Sequence, residues 1–210
     1  MKESTAEVKA FKAALLAHAP LFKTELGAEQ LERLSDYYRI VMAWNPRLHL
    51  VAPCTPTEFA VRHVLESLTA LPFIPVGARI LDVGSGAGLP AIPCLAVRED
   101  VHGALVEASS KKAVFLGEAL RAIQAKERAR VISRRFEEIA APEAQAVTCR
   151  ALERFTEKFE ELVRWSPPSS TLLFFGGAAL KEEIEKAALD YKSVLIPESE
   201  RRFLFVINRP

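Results

Sequence analysis

Three glycines follow an acidic residue in the segment Asp82-Val83-Gly84-Ser85-Gly86-Ala87-Gly88, directly after a short apolar run that predicts a β-strand. Glycine allows the backbone to turn tightly and to approach a ligand closely, with its amide N–H groups free to donate hydrogen bonds. In an open α/β sheet, a loop of this kind lies at the C-terminal edge of the strands, where ligands bind. The segment therefore predicts a small-molecule site, and a tight turn that binds nothing is the alternative.

A second acid, Glu107, ends the next predicted strand. A carboxylate at this place can accept hydrogen bonds from both ribose hydroxyls of a nucleoside cofactor. The dinucleotide-binding pattern GxGxxG requires a third glycine where this sequence has Leu89, whereas the spacing here is GxGxG preceded by Asp82. No pyrophosphate is implied, and the Asp82 carboxylate suits the amino-acid end of S-adenosylmethionine. We therefore favour S-adenosylmethionine over a dinucleotide as the cofactor.

The composition is that of a globular protein with almost no net charge. Half of the 210 residues are hydrophobic, and 28 Lys and Arg side chains stand against 27 Asp and Glu side chains, which gives a formal net charge of +1. A protein that binds nucleic acid mainly through its total charge is expected to be clearly basic. Any nucleic-acid contact must therefore come from a local group of basic side chains.

Metal, disulfide and membrane functions find no support in the sequence patterns. Cys54, Cys94 and Cys149 form no CxxC pair and the four histidines form no HExxH pattern, so we expect neither a metal site nor a disulfide framework. No apolar run approaches the roughly 18 residues that span a bilayer. The acidic residues near the N-terminus are unlike a signal peptide. We expect a cytoplasmic protein that works as a monomer.

The first part of the chain, residues 1–72, predicts a helical region. Apolar residues recur at helical spacing over residues 7–17 and 29–44. Pro46 is expected to end the second helix, because the residue before a proline is disfavoured in the α-helical conformation. A capping box at residues 55–58 predicts the start of a third helix, which is expected to reach about residue 70.

The second part, residues 73–210, alternates short apolar runs with helical patterns. Predicted strands cover residues 79–83, 101–107, 130–134, 144–149, 171–175, 192–196 and 203–208. Predicted helices cover residues 111–124, 152–165 and 179–189. This alternation predicts an α/β fold with a mostly parallel sheet covered on both faces. The last two strands are expected to form an antiparallel pair.

The sequence resembles the glucose-inhibited division protein B family, the bacterial small-subunit ribosomal RNA guanine-N7 methyltransferases. The resemblance covers nearly the whole chain and is carried by Trp44-Asn45, His49-Leu50-Val51, residues 62–67, residues 81–90, Lys111-Lys112, Phe115-Leu116, Arg135-Phe136-Glu137 and Arg150-Ala151. The continuation of the glycine loop through Leu89-Pro90 makes it more specific than GxGxG alone. The resemblance implies a Rossmann-like methyltransferase sheet with an N-terminal helical extension. It also implies S-adenosylmethionine as cofactor and ribosomal RNA, or the small ribosomal subunit, as partner.

The resemblance further implies a set of cofactor-binding residues. Gly84 and Leu89 would line the methionine and methyl end of the cofactor, and Glu107 would hold the ribose. Phe136 and Glu137 would flank the adenine, since an aromatic ring can stack on a base. A place in the apolar core is the alternative for Phe136. Arg150 would lie at the cofactor's edge near the substrate. Together with the residues predicted from the glycine loop itself, the full candidate set is Asp82, Gly84, Ser85, Gly86, Gly88, Leu89, Glu107, Phe136, Glu137 and Arg150.

Basic side chains from both parts of the chain are candidates for the substrate side. Arg150, His63 and Arg62 are positioning candidates. No general base is assigned, because N7 of guanine carries a lone pair and no proton, so that its methylation requires alignment and exclusion of water. Phosphate contacts are expected from Arg47, Arg62, Lys111, Lys112 and Arg202. An ordinary surface charge, an ion pair or, for the histidine, a helix-packing role is the alternative.

Several positions depart from the family pattern, mainly in the half expected to face RNA. An Asn-Leu-Thr signature reads His49-Leu50-Val51 here, and a Lys-Gly pair after the fifth strand reads Gly176-Gly177. An Arg-His pair reads Arg202-Phe203, and the glycine after the loop proline is Ala91. These departures leave two alternatives open. One is a divergent methyltransferase that acts on another RNA or on a small molecule, and the other is a non-catalytic S-adenosylmethionine-binding paralogue.

Overall fold

Helices form the N-terminal part of the structure, a computed structural model that describes residues 5–150 and 154–208. Helix α1 spans Thr5–His18 and helix α2 spans Ala28–Leu48, with a 3₁₀ turn at Ala19–Phe22 after the first. Phe11 and Leu15 of α1 are fully buried. The two predicted helices are thus confirmed, although the second extends further than expected.

Helix α2 runs through Pro46 and ends at Leu48, so the expected end before this proline is wrong. Pro46 lies in the last turn, where its missing N–H removes a single bond from the helix. The Asn45 carbonyl still accepts a hydrogen bond from His49 N–H at 2.9 Å, and His49 closes the helix in the left-handed conformation. Asn45 Oδ1 also accepts from Val51 N–H at 2.9 Å. These two hydrogen bonds to Asn45 span the proline and outweigh its local preference against the helix.

The third helical segment begins with the predicted capping box and then widens into a π-helix. Thr55 Oγ1 accepts from Glu58 N–H at 3.1 Å, and the Glu58 carboxylate accepts from Thr55 N–H at 2.7 Å. The segment continues as α3 (Pro56–Phe59), a π-helical turn (Ala60–Leu65) and α4 (Glu66–Leu68). The capping box is confirmed. The π-helical turn was not predicted, because apolar spacing over so short a run does not distinguish it from an α-helix.

A seven-stranded sheet forms the second part of the structure. Its strands are β1 (Arg79–Val83), β2 (His102–Val106), β3 (Ala129–Ile132), β4 (Ala146–Arg150), β5 (Thr171–Gly176), β6 (Tyr191–Leu195) and β7 (Phe203–Ile207). They lie in the order β3-β2-β1-β4-β5-β7-β6, and β7 runs antiparallel to both of its neighbours while the other pairs are parallel. The predicted mostly parallel sheet with a final antiparallel pair is confirmed.

Helices between the strands cover both faces of the sheet. They are α5 (Ala91–Val97), α6 (Ser110–Ala122), α7 (Phe155–Trp165) and α8 (Ala178–Lys186). A 3₁₀ turn at Phe136–Glu138 follows β3, and another at Leu71–Phe73 precedes β1. Helices α6, α7 and α8 correspond to the predicted ones, except that residues 152 and 153 of the prediction lie outside the described residues. Helix α5 was not predicted, because all seven of its side chains are buried and no polar face marks it.

The N-terminal helices pack on one face of the sheet through a continuous apolar core. Phe11 of α1 stacks on Tyr38 of α2 with ring centroids 4.6 Å apart, and Phe59 of α3 contacts both rings. The same core includes Ile92 of α5 and Leu116 of α6. Helices α7 and α8 contribute to a second core on the opposite face. The division of the chain after residue 72 stays a prediction.

Candidate active site

A cleft of about 440 Å³ opens at the C-terminal ends of β1, β2 and β4. The order of the strands reverses between β1 and β4, which is where open α/β sheets bind ligands. The glycine loop forms one wall, and Leu50, Val51 and His63 of the N-terminal part face it. The cleft is therefore built by both parts of the chain.

The glycine loop adopts a backbone that requires its glycines. Gly84, Gly86 and Gly88 have φ angles of 68°, 53° and 85°, in the left-handed region that side chains with a Cβ rarely adopt. A Cβ on Gly88 would lie 2.4 Å from Ile92 Cδ1, so this glycine lets α5 pack closely against the loop. Gly84 and Gly86 line the cleft together with Ser85 and Leu89, whereas Gly88 does not.

Glu107 joins the end of β2 to the glycine loop. Its Oε2 accepts a hydrogen bond from Gly86 N–H at 2.8 Å, and its Oε1 accepts from Ser109 N–H at 2.8 Å. The side chain lines the cleft although the residue is only 8% exposed. Each carboxylate oxygen has a second lone pair. The fixed carboxylate can therefore accept further hydrogen bonds from hydroxyl groups of a ligand.

Asp82 lies beneath the loop, fully buried, and is not among the residues that line the cleft. Its Oδ1 accepts from Thr148 Oγ1–H at 2.7 Å, while its Oδ2 has no hydrogen-bond partner among the described residues. Burial raises the pKa of this carboxyl to about 7, against the opposing effect of the hydrogen bond from Thr148. An oxygen of this kind suits a positively charged donor such as an ammonium group.

Arg150 extends from the end of β4 to the N-terminal helices and lines the cleft. Its guanidinium donates to the carbonyl oxygens of Arg62 at 2.7 Å and His63 at 3.5 Å, to Ser67 Oγ at 3.4 Å, and to Glu66 Oε2 at 3.1 Å. Its hydrogen bonds thus tie the sheet to the π-helical turn and to α4.

His63 lines the same side of the cleft from the π-helical turn. Its Nδ1 is buried and has no hydrogen-bond partner among the described residues. Burial lowers the pKa of His63 to about 4, and the nearby charges of Arg150, Arg62 and Arg202 act in the same direction. The imidazole is therefore neutral at pH 7.

The far wall of the cleft combines an aromatic ring with an ion pair. Phe136 lines the cleft with 3% of its surface exposed, and Trp165 packs edge-on against its ring at 5.3 Å between centroids. Lys158 Nζ lies 5.6 Å from the Phe136 ring centre and 2.5 Å from Glu137 Oε1. Both residues expected to flank an adenine thus lie on this wall.

The cleft gathers only part of the predicted basic set. Lys112 and Arg150 line it, whereas Arg47, Arg62, Lys111 and Arg202 do not. The guanidinium of Arg202 instead donates to Glu66 Oε1 at 2.6 and 2.9 Å.

Three basic residues of the cleft were missed at the sequence level, namely Arg134, Arg135 and Lys158. Arg134 and Arg135 are exposed and follow β3 after Ser133. Because the carboxyl ends of parallel strands meet at one edge, an Arg-Arg pair at the end of a predicted strand was the signal that could have found them.

Two further properties concern metals and membranes. In the part of the chain that the structure describes, no group of three or more His, Cys, Asp and Glu side chains is placed to hold a metal ion. None of the described helices is both long enough and apolar enough to cross a membrane.

Comparison with known proteins identifies relatives of this chain. The model of the family described as rRNA small subunit methyltransferase G matches residues 30–203. The ribosomal RNA small subunit methyltransferase G of Paramagnetospirillum magneticum is 36% identical over 178 residues, which cover 81% of this chain and 82% of the relative. The protein of the same name from Neisseria gonorrhoeae is 38% identical over 71% of this chain and 70% of its own length. A solved structure of an S-adenosylmethionine-dependent methyltransferase from Aquifex aeolicus shares the fold, with a TM-score of 0.55 and 18% identity over 82% of this chain and 98% of that one.

The residues of the cleft, together with the buried carboxylate of Asp82 beneath the glycine loop, fit S-adenosylmethionine. The orphaned Asp82 Oδ2 suits its ammonium group, the positive-φ glycine loop allows close approach, and Glu107 has lone pairs available for ribose hydroxyls. Fold, cleft and relatives together define an S-adenosylmethionine-dependent methyltransferase. The chain belongs to the rRNA small subunit methyltransferase G family. The family resemblance and the cofactor predicted from the sequence are thereby confirmed.

Proposed function

We propose that the protein methylates N7 of a guanine in small-subunit ribosomal RNA. The observation that carries this proposal is the family match over residues 30–203, a range that includes every residue lining the cleft. The relatives are named for ribosomal RNA of the small subunit. We extend that substrate to this chain and add the guanine N7 position from the family resemblance.

The chemistry of this reaction matches what the side chains of the cleft offer. Bound S-adenosylmethionine supplies an electrophilic methyl group, and the in-plane lone pair of guanine N7 needs no base to accept it. Among the described residues that line the cleft, His63 is neutral and Glu107 is committed to backbone N–H groups. The protein is then required to align the two reactants and to exclude water. We assign Arg150, His63 and Arg62 to positioning and no residue to proton transfer.

For the cofactor we propose one role for each wall of the cleft. Glu107 accepts hydrogen bonds from the ribose, and Asp82 is the partner of the ammonium group. Phe136 and Glu137 flank the adenine. The methionine portion lies along the glycine loop at Gly84, Ser85, Gly86 and Leu89, and Arg150 lies at the cofactor's edge. Gly88, also a candidate from the sequence, shapes the loop from outside the cleft.

For the RNA we propose a local basic rim, defined as Lys112, Arg134 and Arg135. All three line the cleft, and the structure gives their side chains no ion pair among the described residues. Phosphates are the partners expected for exposed cations beside a nucleotide site. Arg47, Arg62 and Lys111 remain candidates for contacts further from the cleft. A rim of this kind reconciles RNA binding with a net charge of +1.

A second substrate class is supported by Gly176, which replaces a lysine of the family pattern. A Cβ on Gly176 would lie 2.6 Å from Leu180 Cδ2 and 2.9 Å from Leu180 Cβ. Leu180 of α8 therefore packs where a side chain at position 176 would begin, and the site has no basic side chain there. This observation favours methyl transfer to another RNA or to a small molecule as the second candidate.

A methyl-transfer assay with labelled S-adenosylmethionine tests these proposals. Small ribosomal subunits, naked ribosomal RNA and transfer RNA are offered in parallel, and the labelled base is identified by mass spectrometry. We expect label in N7-methylguanine of small-subunit RNA. Label in transfer RNA or only in a metabolite pool would support the second candidate. Binding of S-adenosylhomocysteine without transfer to any substrate would indicate a non-catalytic paralogue.

We also propose that the protein works as a monomer in the cytoplasm, where ribosomal subunits are found. Sedimentation at assay concentrations tests the oligomeric state. A dimer that persists on dilution would contradict this part of the proposal.

A further inference from the structure

A buried carboxylate joins two arginines from distant parts of the chain. Glu66 of α4 is 2% exposed. Its Oε2 accepts from Arg150 at the end of β4 at 3.1 Å, and its Oε1 accepts from Arg202, which precedes β7, at 2.6 and 2.9 Å. We call these three side chains the Glu66 triad.

In the Glu66 triad, one buried carboxylate balances the positive charges of two guanidinium groups. A buried ion pair that loses one partner leaves an uncompensated charge. Without Glu66, the guanidinium groups of Arg150 and Arg202 would both remain near His63, and their positive charges already contribute to lowering the pKa of this imidazole. Glu66 provides the only ion pair that the described residues give to Arg150.

Only one member of the Glu66 triad lines the cleft. Arg150 does, whereas Glu66 and Arg202 do not. The Arg150 guanidinium also lies 5.8 Å from the ring centre of Phe175 and donates to two carbonyl oxygens of the π-helical turn. All of these contacts are made with the N-terminal helices or with the sheet. Together they fix the position of the Arg150 guanidinium at the wall of the cleft.

We propose that Glu66 is a positioning residue for methyl transfer, which acts through Arg150 by holding its guanidinium at the wall of the cleft. The inference rests on the proposed function, because Arg150 is assigned there to positioning at the cofactor's edge. A long side chain loses rotamer freedom when it is held by several partners. Functional groups fixed by supporting side chains keep the geometry that a reaction needs. Glu66 supplies this support without contacting the reactants.

Glu66→Gln tests the role, because it removes the charge and keeps the shape. With small ribosomal subunits as substrate, we expect kcat to fall about tenfold or more, since small misplacements of aligned groups cost this much. The Kd of S-adenosylhomocysteine is expected to change less than about twofold, because Glu66 does not line the cleft and Arg150 lies only at the edge of the proposed cofactor position. A folded Glu66→Gln variant with wild-type kcat overturns the proposal. If this variant fails to fold, Glu66→Asp keeps the charge but shortens its reach, and the same split in kcat and Kd is expected.

Glu99→Gln is the matched control. Glu99 pairs with Arg33 of α2 and so also links the N-terminal helices to the second part of the chain, but neither residue lines the cleft. We expect its kcat to equal that of the wild type. An equal loss of kcat in both variants overturns the proposal, because it would reflect the general attachment of the helices.

A double variant separates action through Arg150 from an independent effect. In an Arg150→Ala background, Glu66→Gln is expected to cause no further loss of kcat, since the group it positions is absent. Multiplying losses would overturn the proposal.

A readout without substrate distinguishes failure of this inference from failure of the proposed function. The guanidinium N–H signals of Arg150, assigned by NMR with Arg150→Lys, report how firmly the group is held. We expect Glu66→Gln to average these signals, and unchanged signals overturn the proposal even if the wild type methylates another RNA. Absence of transfer to small subunits by the wild type would contradict the proposed substrate alone.

Discussion

Glu107 holds the glycine loop and is also the proposed partner of the ribose. Both of its oxygens already accept backbone N–H groups, from Gly86 and Ser109. Glu107→Ala removes these bonds as well as those expected to the two ribose hydroxyls. We predict that the free energy of S-adenosylhomocysteine binding weakens by roughly 1–3 kcal/mol, measured by titration calorimetry.

Glu127→Ala serves as the control for this measurement. Glu127 is an exposed carboxylate outside the cleft, so its loss changes the net charge equally. Unchanged affinity in Glu107→Ala would contradict the ribose role. A comparable loss in Glu127→Ala would show that charge alone is responsible.

Asp82 predicts a specific dependence of stability on pH. Its pKa is raised to about 7 in the folded protein, so the folded state keeps this proton after the unfolded state has released it. The free energy of unfolding therefore falls as pH rises from the ordinary carboxyl pKa towards 7, and this contribution is constant above it. Between pH 5 and pH 8, we expect the wild type to lose about 2–3 kcal/mol more than Asp82→Asn. Urea unfolding without cofactor measures the difference.

The affinity for the cofactor is expected to rise with pH as the Asp82 carboxyl ionises, whereas the stability of the free protein falls. An ammonium group is attracted to the ionised form, so the affinity of the wild type for S-adenosylhomocysteine is expected to fall as pH drops below about 7. Asp82→Asn should bind more weakly at pH 8 and lose this pH dependence. Identical pH profiles in both proteins would exclude Asp82 as the ammonium partner.

Helix α2 restrains the glycine loop. The hydroxyl of Tyr37, which is fully buried, donates to the carbonyl oxygen of Ala87 at 2.7 Å. Tyr37→Phe leaves this carbonyl without that partner in a buried place. We predict a loss of about 1–3 kcal/mol in the free energy of unfolding and a rise in the Kd of S-adenosylhomocysteine.

Tyr191→Phe is the corresponding control on β6. The hydroxyl of Tyr191 donates to Glu185 at 2.9 Å in an exposed place, where water replaces the bond. We expect little change in stability or in affinity. If Tyr37→Phe lowers stability but leaves the affinity unchanged, helix α2 supports the fold without tuning the loop.

Local sequence patterns predicted some helices and strands correctly and missed others, each for a physical reason. Strand β1 has the predicted bounds, Arg79–Val83, because a short apolar run ends directly at the glycine loop. Helix α5 was missed since complete burial erases the amphipathic pattern. Pro46 stays within α2 because hydrogen bonds of Asn45 and His49 stabilise the end of the helix.

A protein with a net charge of +1 must bind RNA through a small local group of basic side chains. The basic rim consists of Lys112, Arg134 and Arg135. Each phosphate contact contributes to the salt dependence of binding. We predict that Arg134→Ala/Arg135→Ala reduces the slope of log Kd against log salt for small ribosomal subunits by about 1–2, with unchanged binding of S-adenosylhomocysteine.

Lys126→Ala/Arg130→Ala removes the same number of charges from the opposite edge of the sheet. Both residues are exposed and lie away from the cleft. The slope should match that of the wild type. Equal slopes in all three proteins would show that the rim does not contact phosphates.

The amino-acid sequence by itself determined the class of sheet, the cofactor and the family, because the glycine loop and the acid that ends β2 are local patterns with a direct backbone consequence. The tertiary structure alone decided which basic side chains reach the cleft. Arg202 was expected at the RNA and is instead bound to Glu66, 136 positions away in the chain. Such a pairing depends on how helices and strand ends come together, and a buried carboxylate recruits whichever cations the fold brings to it.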